Sequence, residues 1–280
     1  MRIGLITPHP CHPLLSATTA LLRPRHVVVW ADPGSYGHSH SFDGILRDPL
    51  ADVYLLKART TQALARSLEQ RGATAVNSAA ATGLCQDRTA MAELARRAGL
   101  PFAPTRAVPA LRQLADEAGP GGPFVVKSRH SRRNDLVSRV DDATCLNRLC
   151  TSWADEPVVV QPFIANNGWD HKLWVAADQI FAALRRSELT GAHRGPHLPL
   201  TADDLPDGWA TLARAVGSVF FLDVYGVDVI DAGGGTPLIV DINAFPGMGG
   251  QEGAPRAVAE LALRAGAGAP PTRPTGRHVF

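Results

Sequence analysis

An α/β fold, with a parallel sheet in the N-terminal part and antiparallel sheets after it, follows from three observations on the sequence. The runs "RIGLIT", "RHVVVWA" and "DVYLLKA" are short, rich in Val, Ile and Leu, and separated by segments that can form helices, as buried parallel strands require. The stretch "DHKLWVAADQIFAALRRSEL" reads as two strands around a turn at Ala177 and Asp178. "YGVDVIDAGGGTPLIVDIN" reads as a β-hairpin, because two alternating apolar runs flank the turn Gly233 to Gly235.

In chain order, "TTQALARSLEQRG" is a helix between two N-terminal strands, and "ATAVN" is a further strand. Asp87 caps a helix that carries Met91, Leu94 and Ala95, and Gly99 with Pro101 ends it, placing a boundary near residue 100. "GPGGPFVVKSRHSRRNDLVSRV" is a turn, a strand reaching Lys127, a long basic loop and a second strand. "EPVVVQPFI" is another strand, and "DGWATLARAVGSVFF" is an amphipathic helix. The tail "AGAGAPPTRPTGRHVF" is rich in Ala, Gly and Pro and reads as loose.

The totals restrict the classes of partner. The 280 residues are 45% hydrophobic and 19% charged, with a net charge of +2, which gives no sign of the clustered basic excess that nucleic acid demands. Cys11, Cys85, Cys145 and Cys150 form no CxxC pair, so neither a zinc site nor a disulfide framework is expected. The apolar run at the start is too short for a signal peptide or membrane span, so the expectation is a cytoplasmic protein with a small-molecule substrate. A homo-oligomer stays open.

The chemistry concentrates in "LIVDINAFPGMGG". Alternation along a strand puts Asp241 and Asn243 on one face with Ile242 on the other, and the hairpin brings Asp228 opposite them. Facing carboxylates repel unless a cation lies between them. Mg²⁺ takes oxygen ligands and shares its shell with phosphates, so this set points to a nucleotide polyphosphate, with Lys127 at the end of "FVVK" as its cationic partner.

These stretches, together with "VVVQPFI" and "GLCQDRTAMAELARRAGLPFAPT", resemble the ATP-grasp superfamily from about residue 77 to 250, nearest to the RimK-type ligases and the inositol 1,3,4-trisphosphate 5/6-kinase branch. The resemblance implies an N-terminal parallel α/β substrate-side subdomain (1–100), a central β-rich lid (101–164), a C-terminal antiparallel-sheet subdomain (165–268) with ATP between the last two, and a loose tail (269–280). It further implies that Asp228, Asp241 and Asn243 hold one or two Mg²⁺ ions, where the family more often has Glu at the position of Asp241. Lys127 contacts ATP phosphates, and Gln161, Pro162, Phe163 and Ile164 form the hinge whose backbone reads adenine. Asp170 and Lys172 match the ligases' D-x-R, and Arg185 matches an arginine near the transferred phosphate.

Two departures stand out. Asp87-Arg88 replaces the ligases' Asp-Lys, so Arg88 takes over a phosphate contact or is a helix-surface charge. The glycine-rich loop after the lysine is replaced by "SRHSRRNDLVSRV", whose Arg129, His130, Arg132 and Arg133 form either a lid gripping phosphates or a solvated tip, the position after Lys127 favouring the lid. His9 and His12 read as a turn without further metal ligands. Lys57 is a candidate for the substrate site, Ser78 and Thr82 for helix caps, and "HRGPH" (193–197) is a connecting or closing loop.

The resemblance implies an ATP-dependent ligase that turns a small carboxylate into an acyl phosphate and joins it to an amine, on an amino acid or natural-product intermediate. A small-molecule kinase of the same fold is the alternative, and a non-catalytic nucleotide-binding module is a third.

Overall fold

The computed structural model describes residues 1–9, 11–36, 49–57, 62–117, 122–132, 134–190 and 195–268. Arg133, part of the 193–197 loop and the tail 269–280 lie outside the described residues.

The chain opens with β1 (Arg2–Ile6), α1 (Pro13–Leu22), β2 (Val27–Ala31), β3 (Val53–Leu56), α2 (Gln62–Gln70) and β4 (Thr74–Val76). The four strands run parallel in the order β2-β1-β3-β4. All four residues of β3 are buried, which is why its apolar run is continuous and not alternating. The winding reverses at β1 and β3, so the loops leaving those two strands diverge and open a crevice at their carboxyl ends. The turn expected around His9 and His12 is present, the His12 N–H donating to His9 O (3.0 Å), and helix α1 follows it directly. Its signal was Pro13, which takes the first helical position, where a missing N–H costs nothing.

Next come α3 (Ala79–Gln86) and α4 (Arg88–Arg97), two helices broken by the extended backbone of Asp87. Its carboxylate accepts from the N–H groups of Thr89 (2.9 Å) and Ala90 (3.4 Å), as the sequence predicts. Ser78 caps α3 by accepting from the Ala81 N–H (3.2 Å), whereas Thr82 lies inside the helix and is no cap.

The central sheet comprises β5 (Arg106–Val108), α5 (Leu111–Asp116), β6 (Phe124–Ser128), β7 (Val137–Val140), α6 (Ala143–Trp153) and β8 (Val158–Pro162). Its order is β5-β8-β6-β7, all antiparallel, with Leu111, Leu114 and Leu146 of the helices packed on Val126 and Val160.

The last sheet holds β9 (Trp169–Ala176), β10 (Gln179–Arg186), β11 (Leu198–Leu200), then α7 (Trp209–Phe220), β12 (Val224–Asp231) and β13 (Pro237–Ala244), with α8 (Ala254–Gly266) following. Its order is β11-β10-β9-β12-β13. Gly217 in α7 is required by close approach: a Cβ there would lie 2.2 Å from the Tyr225 hydroxyl, which itself donates to Ala213 O (2.8 Å).

Packing groups the helices differently from the sequence ranges. Ala81, Cys85, Met91 and Ala95 of α3 and α4 share a core with Leu173, Val175, Ile239 and Ile242 of the last sheet. Ala257, Val258 and Leu261 of α8 return to pack with Ile3, Leu15 and Val53 of the first. The stretch 77–100 thus packs on the C-terminal sheet, and 254–266 shares one core with the N-terminal sheet, α1 and Trp174, Ala176 and Ala183 of the last sheet. Among the described residues no helix is long and apolar enough to cross a membrane.

Candidate active site

A cleft of about 1450 Å³ opens between the central and last sheets and reaches the loops after β1 and β3. Its floor is one face of the last sheet. Strand pairing places Asp228 opposite Asp241, Lys172 beside Asp228, Asn243 opposite Gly226, and Asp170 opposite Arg185, so these side chains share a face.

The register slips by one residue between Asp228 and Val229, leaving Val240 as the extra residue of a β-bulge. Its carbonyl accepts from Lys127 Nζ at 2.6 Å, which fixes the lysine of β6 against the floor. Nothing in the sequence announced this bulge.

Charges on the floor are matched in pairs. Lys172 forms an ion pair with Asp228. Arg185 lies 3.5 Å from Asp170, and its Nε finds no acceptor among the described residues. Arg88 is buried and donates to Ser128 O (2.8 Å), Asp135 (2.8 Å) and Asp241 (3.1 Å). It is therefore no helix-surface charge but the bridge from the central sheet's loop to the hairpin.

Burial works against an ionised Asp241, but the Arg88 guanidinium and the Lys127 ammonium outweigh it and hold the carboxyl below its usual range. Lys127 is pushed down to about 8, first by burial and then by Arg88 and Lys172, against the pull of Asp241 and Asp228. His12, which ends the turn begun at His9 and lines the cleft, falls to about 4 through burial and the nearby Lys57.

The donor set of Asp228, Asp241 and Asn243 is oxygen only, on one face, which fits a hard divalent cation. Among the described residues no group of three or more His, Cys, Asp and Glu could hold a metal by itself. Such a set suits Mg²⁺ completed by phosphate oxygens and water.

The basic loop divides. Arg129 turns to Asp87, donating at 2.7 to 3.1 Å, and is absent from the cleft wall. Arg132 lines the cleft while its guanidinium grips Glu156 through two bonds of 2.5 and 2.8 Å. At the hinge, Gln161 is buried with its amide donating to Thr105 (3.0 Å), and the Phe163 N–H donates to Pro123 O (3.1 Å). With Pro162 lacking an N–H, neither central hinge residue can donate one to adenine. The Phe163 ring stacks under Arg139, 4.0 Å from the ring centre, and Ile164 is half-buried beyond it.

The model of the RimK-like ATP-grasp domain matches residues 102–258. A probable alpha-L-glutamate ligase of Aeromonas salmonicida is 28% identical over 205 residues, 69% of this chain and 67% of that protein. The chain thus spans about two thirds of the length of the curated relatives it matches. Among solved structures, a RimK domain ATP-grasp protein from Sphaerobacter thermophilus superposes with a TM-score of 0.72 at 22% identity, covering 94% of this chain and all of the other. The ATP-grasp ligase PsnB, in complex with a phosphomimetic variant of its minimal precursor, Mg and ADP, gives 0.65 at 16% identity over 94% and 98% of the two chains. With more than half of its length matched by that model, the chain belongs to the RimK-like ATP-grasp family.

Proposed function

We propose that the cleft joins a small carboxylate to an amine at the expense of ATP, forming an acyl phosphate on the way. A carboxylate is a poor electrophile, and transfer of the terminal phosphoryl group makes one of its oxygens a leaving group. An amine then displaces phosphate, giving an amide and ADP. The observation that carries this reading is the buried array of Lys127, Lys172 and Arg88 around the facing Asp228 and Asp241. Mg²⁺ held by Asp228, Asp241 and Asn243 supplies positive charge against the phosphates.

The remaining work belongs to the chain's own residues. Lys127, fixed by the Val240 carbonyl, points its ammonium at transferring oxygens, and Arg185 adds a second cation held by Asp170. Arg88 keeps Asp241 ionised and aimed. The wide cleft, at about 1450 Å³, exceeds the ~300–1,000 Å³ of single-ligand sites and leaves room for nucleotide and two further substrates.

The test is ADP release from the purified protein with Mg-ATP and a panel of amino acids and dipeptides, with and without hydroxylamine. Formation of a hydroxamate together with ADP is the expected result, and Lys127→Ala should lower the rate by roughly 10²-fold or more. Transfer of phosphate to a hydroxyl acceptor without hydroxamate would replace the ligase by a kinase.

A further inference from the structure

Among the described residues the first sheet ends in an open edge. Its order β2-β1-β3-β4 gives β2 a neighbour on one side and no strand on the other. The edge strand reads Val27-Val28-Val29-Trp30-Ala31 and carries none of the lysines, prolines or bulges that usually blunt such an edge. Val27 is 57% exposed and Trp30 47%, and Met1, whose carbonyl accepts from the Val27 N–H (3.1 Å), is 39% exposed. Apolar side chains left in water beside unpaired backbone groups mark a surface that another strand can cover.

The backbone bonds show which groups are open to it. The Val27 N–H donates inward to Met1 O, and the Ala31 carbonyl accepts inward from the Thr7 N–H (3.1 Å). In a parallel ladder a residue turns its N–H and its C=O to the same side and the next residue turns them to the other. Val27, Val29 and Ala31 therefore face β1, while Val28 and Trp30 turn their groups outward.

We infer that this edge pairs with the same edge of a second copy of the chain, β2 antiparallel to β2 about a two-fold axis at Val29, so that the two four-stranded sheets run on as one. Centred there, the pairing sets Val28 of each copy against Trp30 of the other. Both residues turn their groups outward, so each such pair exchanges two N–H···O bonds and all four outward groups are used. The same register sets His26, with Arg25 beside it, at the start of one strand against Asp32 at the end of the other, so basic groups meet a carboxylate at both ends. A net charge of +2 leaves little repulsion between copies, and a two-fold pairing closes the edge instead of propagating it. The interface also reaches the cleft. The Trp30 indole donates to Thr7 O at 3.0 Å, and Thr7 lines the cleft at the carboxyl end of β1, so a copy that covers Trp30 steadies that wall. None of this depends on the ligase reading.

Sedimentation velocity of the full chain over a wide range of concentration, together with disulfide trapping, tests the pairing. The chain should sediment as a dimer that dissociates on dilution. Val29→Cys brings two thiols together on the axis, where antiparallel partners that exchange no hydrogen bonds lie about 4.5 Å apart at Cα, within disulfide reach. It should cross-link to a covalent dimer on oxidation, with the unsubstituted chain and its exposed Cys11 as the control. Val29→Lys sets two like charges face to face, and Val28→Pro removes an outward N–H that β1 does not use. Each should raise the dimer dissociation constant roughly tenfold or more and leave the circular dichroism unchanged, and should either lose its fold, the trapping decides. A monomer at every concentration, a dimer that both folded variants leave unaltered, or no more cross-linking in Val29→Cys than in the control overturns the pairing, and the edge then belongs to a different partner or to another part of this chain.

Discussion

Arg88 shows how much one side chain carries here. It stands between two carboxylates, Asp135 and Asp241, and removing it takes a hydrogen-bonded ion-pair partner from both, with Lys127 and Lys172 left as the cations near Asp241. Arg88→Ala should cost about 3–5 kcal/mol, read as a lower midpoint in urea unfolding, while Arg88→Lys keeps the charge but loses the fork that reaches three acceptors at once. Lys127 makes a pH prediction. Its folded value of about 8 lies below the unfolded 10.5, so the ammonium is present at pH 7 and is lost as pH rises through 8. kcat/KM for ATP should therefore decline above pH 8, and Lys127→Arg should flatten that limb. The same sign means that the burial cost of the charged lysine is relieved between pH 8 and 10.5, a window in which this group contributes rising stability. At this scale the sequence was legible where alternation decides the face, as for Asp228, Asp241 and Asn243. It was not legible where a long side chain chooses among partners: Arg88 and Arg129 lie on neighbouring segments, yet one reaches the hairpin and the other turns back to Asp87.

Secondary-structure elements are joined by a few specific bonds. Asn77, at the end of β4, is buried and ties the first sheet to the last: its amide nitrogen donates to Val224 O (2.6 Å), and its oxygen accepts from the N–H groups of Asp223 (2.7 Å) and Val224 (2.9 Å). Asn77→Ala strands those backbone groups and should destabilise by about 1–3 kcal/mol, measurable as a lowered Tm. The hairpin strands and their partners were readable because apolar alternation and turn residues are local signals, and the hairpin around Gly233–Gly235 is the clearest case, whereas the three-residue β5 and β11 are too short to show a pattern. Helix α1 falls in one of the segments expected to form helices, whereas α8 escaped because the Ala- and Gly-rich tail beside it looks like linker. What stabilises both as helices is the apolar face each presents to the other in direct contact beside the first sheet. The bulge at Val240 is invisible for a related reason: an extra residue in a strand changes pairing, not composition.

For the whole molecule, the cleft proposed for the nucleotide lies between two sheets that are bound to each other through loop contacts. Arg88, Arg129 and Ser131 attach the basic loop to the junction of α3 and α4, and Lys127 reaches the last sheet. A ligand seated across both sheets stabilises only the assembled state, so Mg-ADP at about 100 times its Kd should add about 2.7 kcal/mol to unfolding. Thermal scans with and without nucleotide check this, and an unchanged Tm would mean that the cleft does not take it. The return of α8 to α1 and β3 has a different consequence, which concerns the making of the protein. The core around Leu15 and Val53 is completed by residues 254–266, which leave the ribosome last among the described elements. At about 5–20 residues per second the first sheet waits tens of seconds with an apolar flank bare. The part synthesised first is thus finished last, and during that interval a holding chaperone has a surface to recognise.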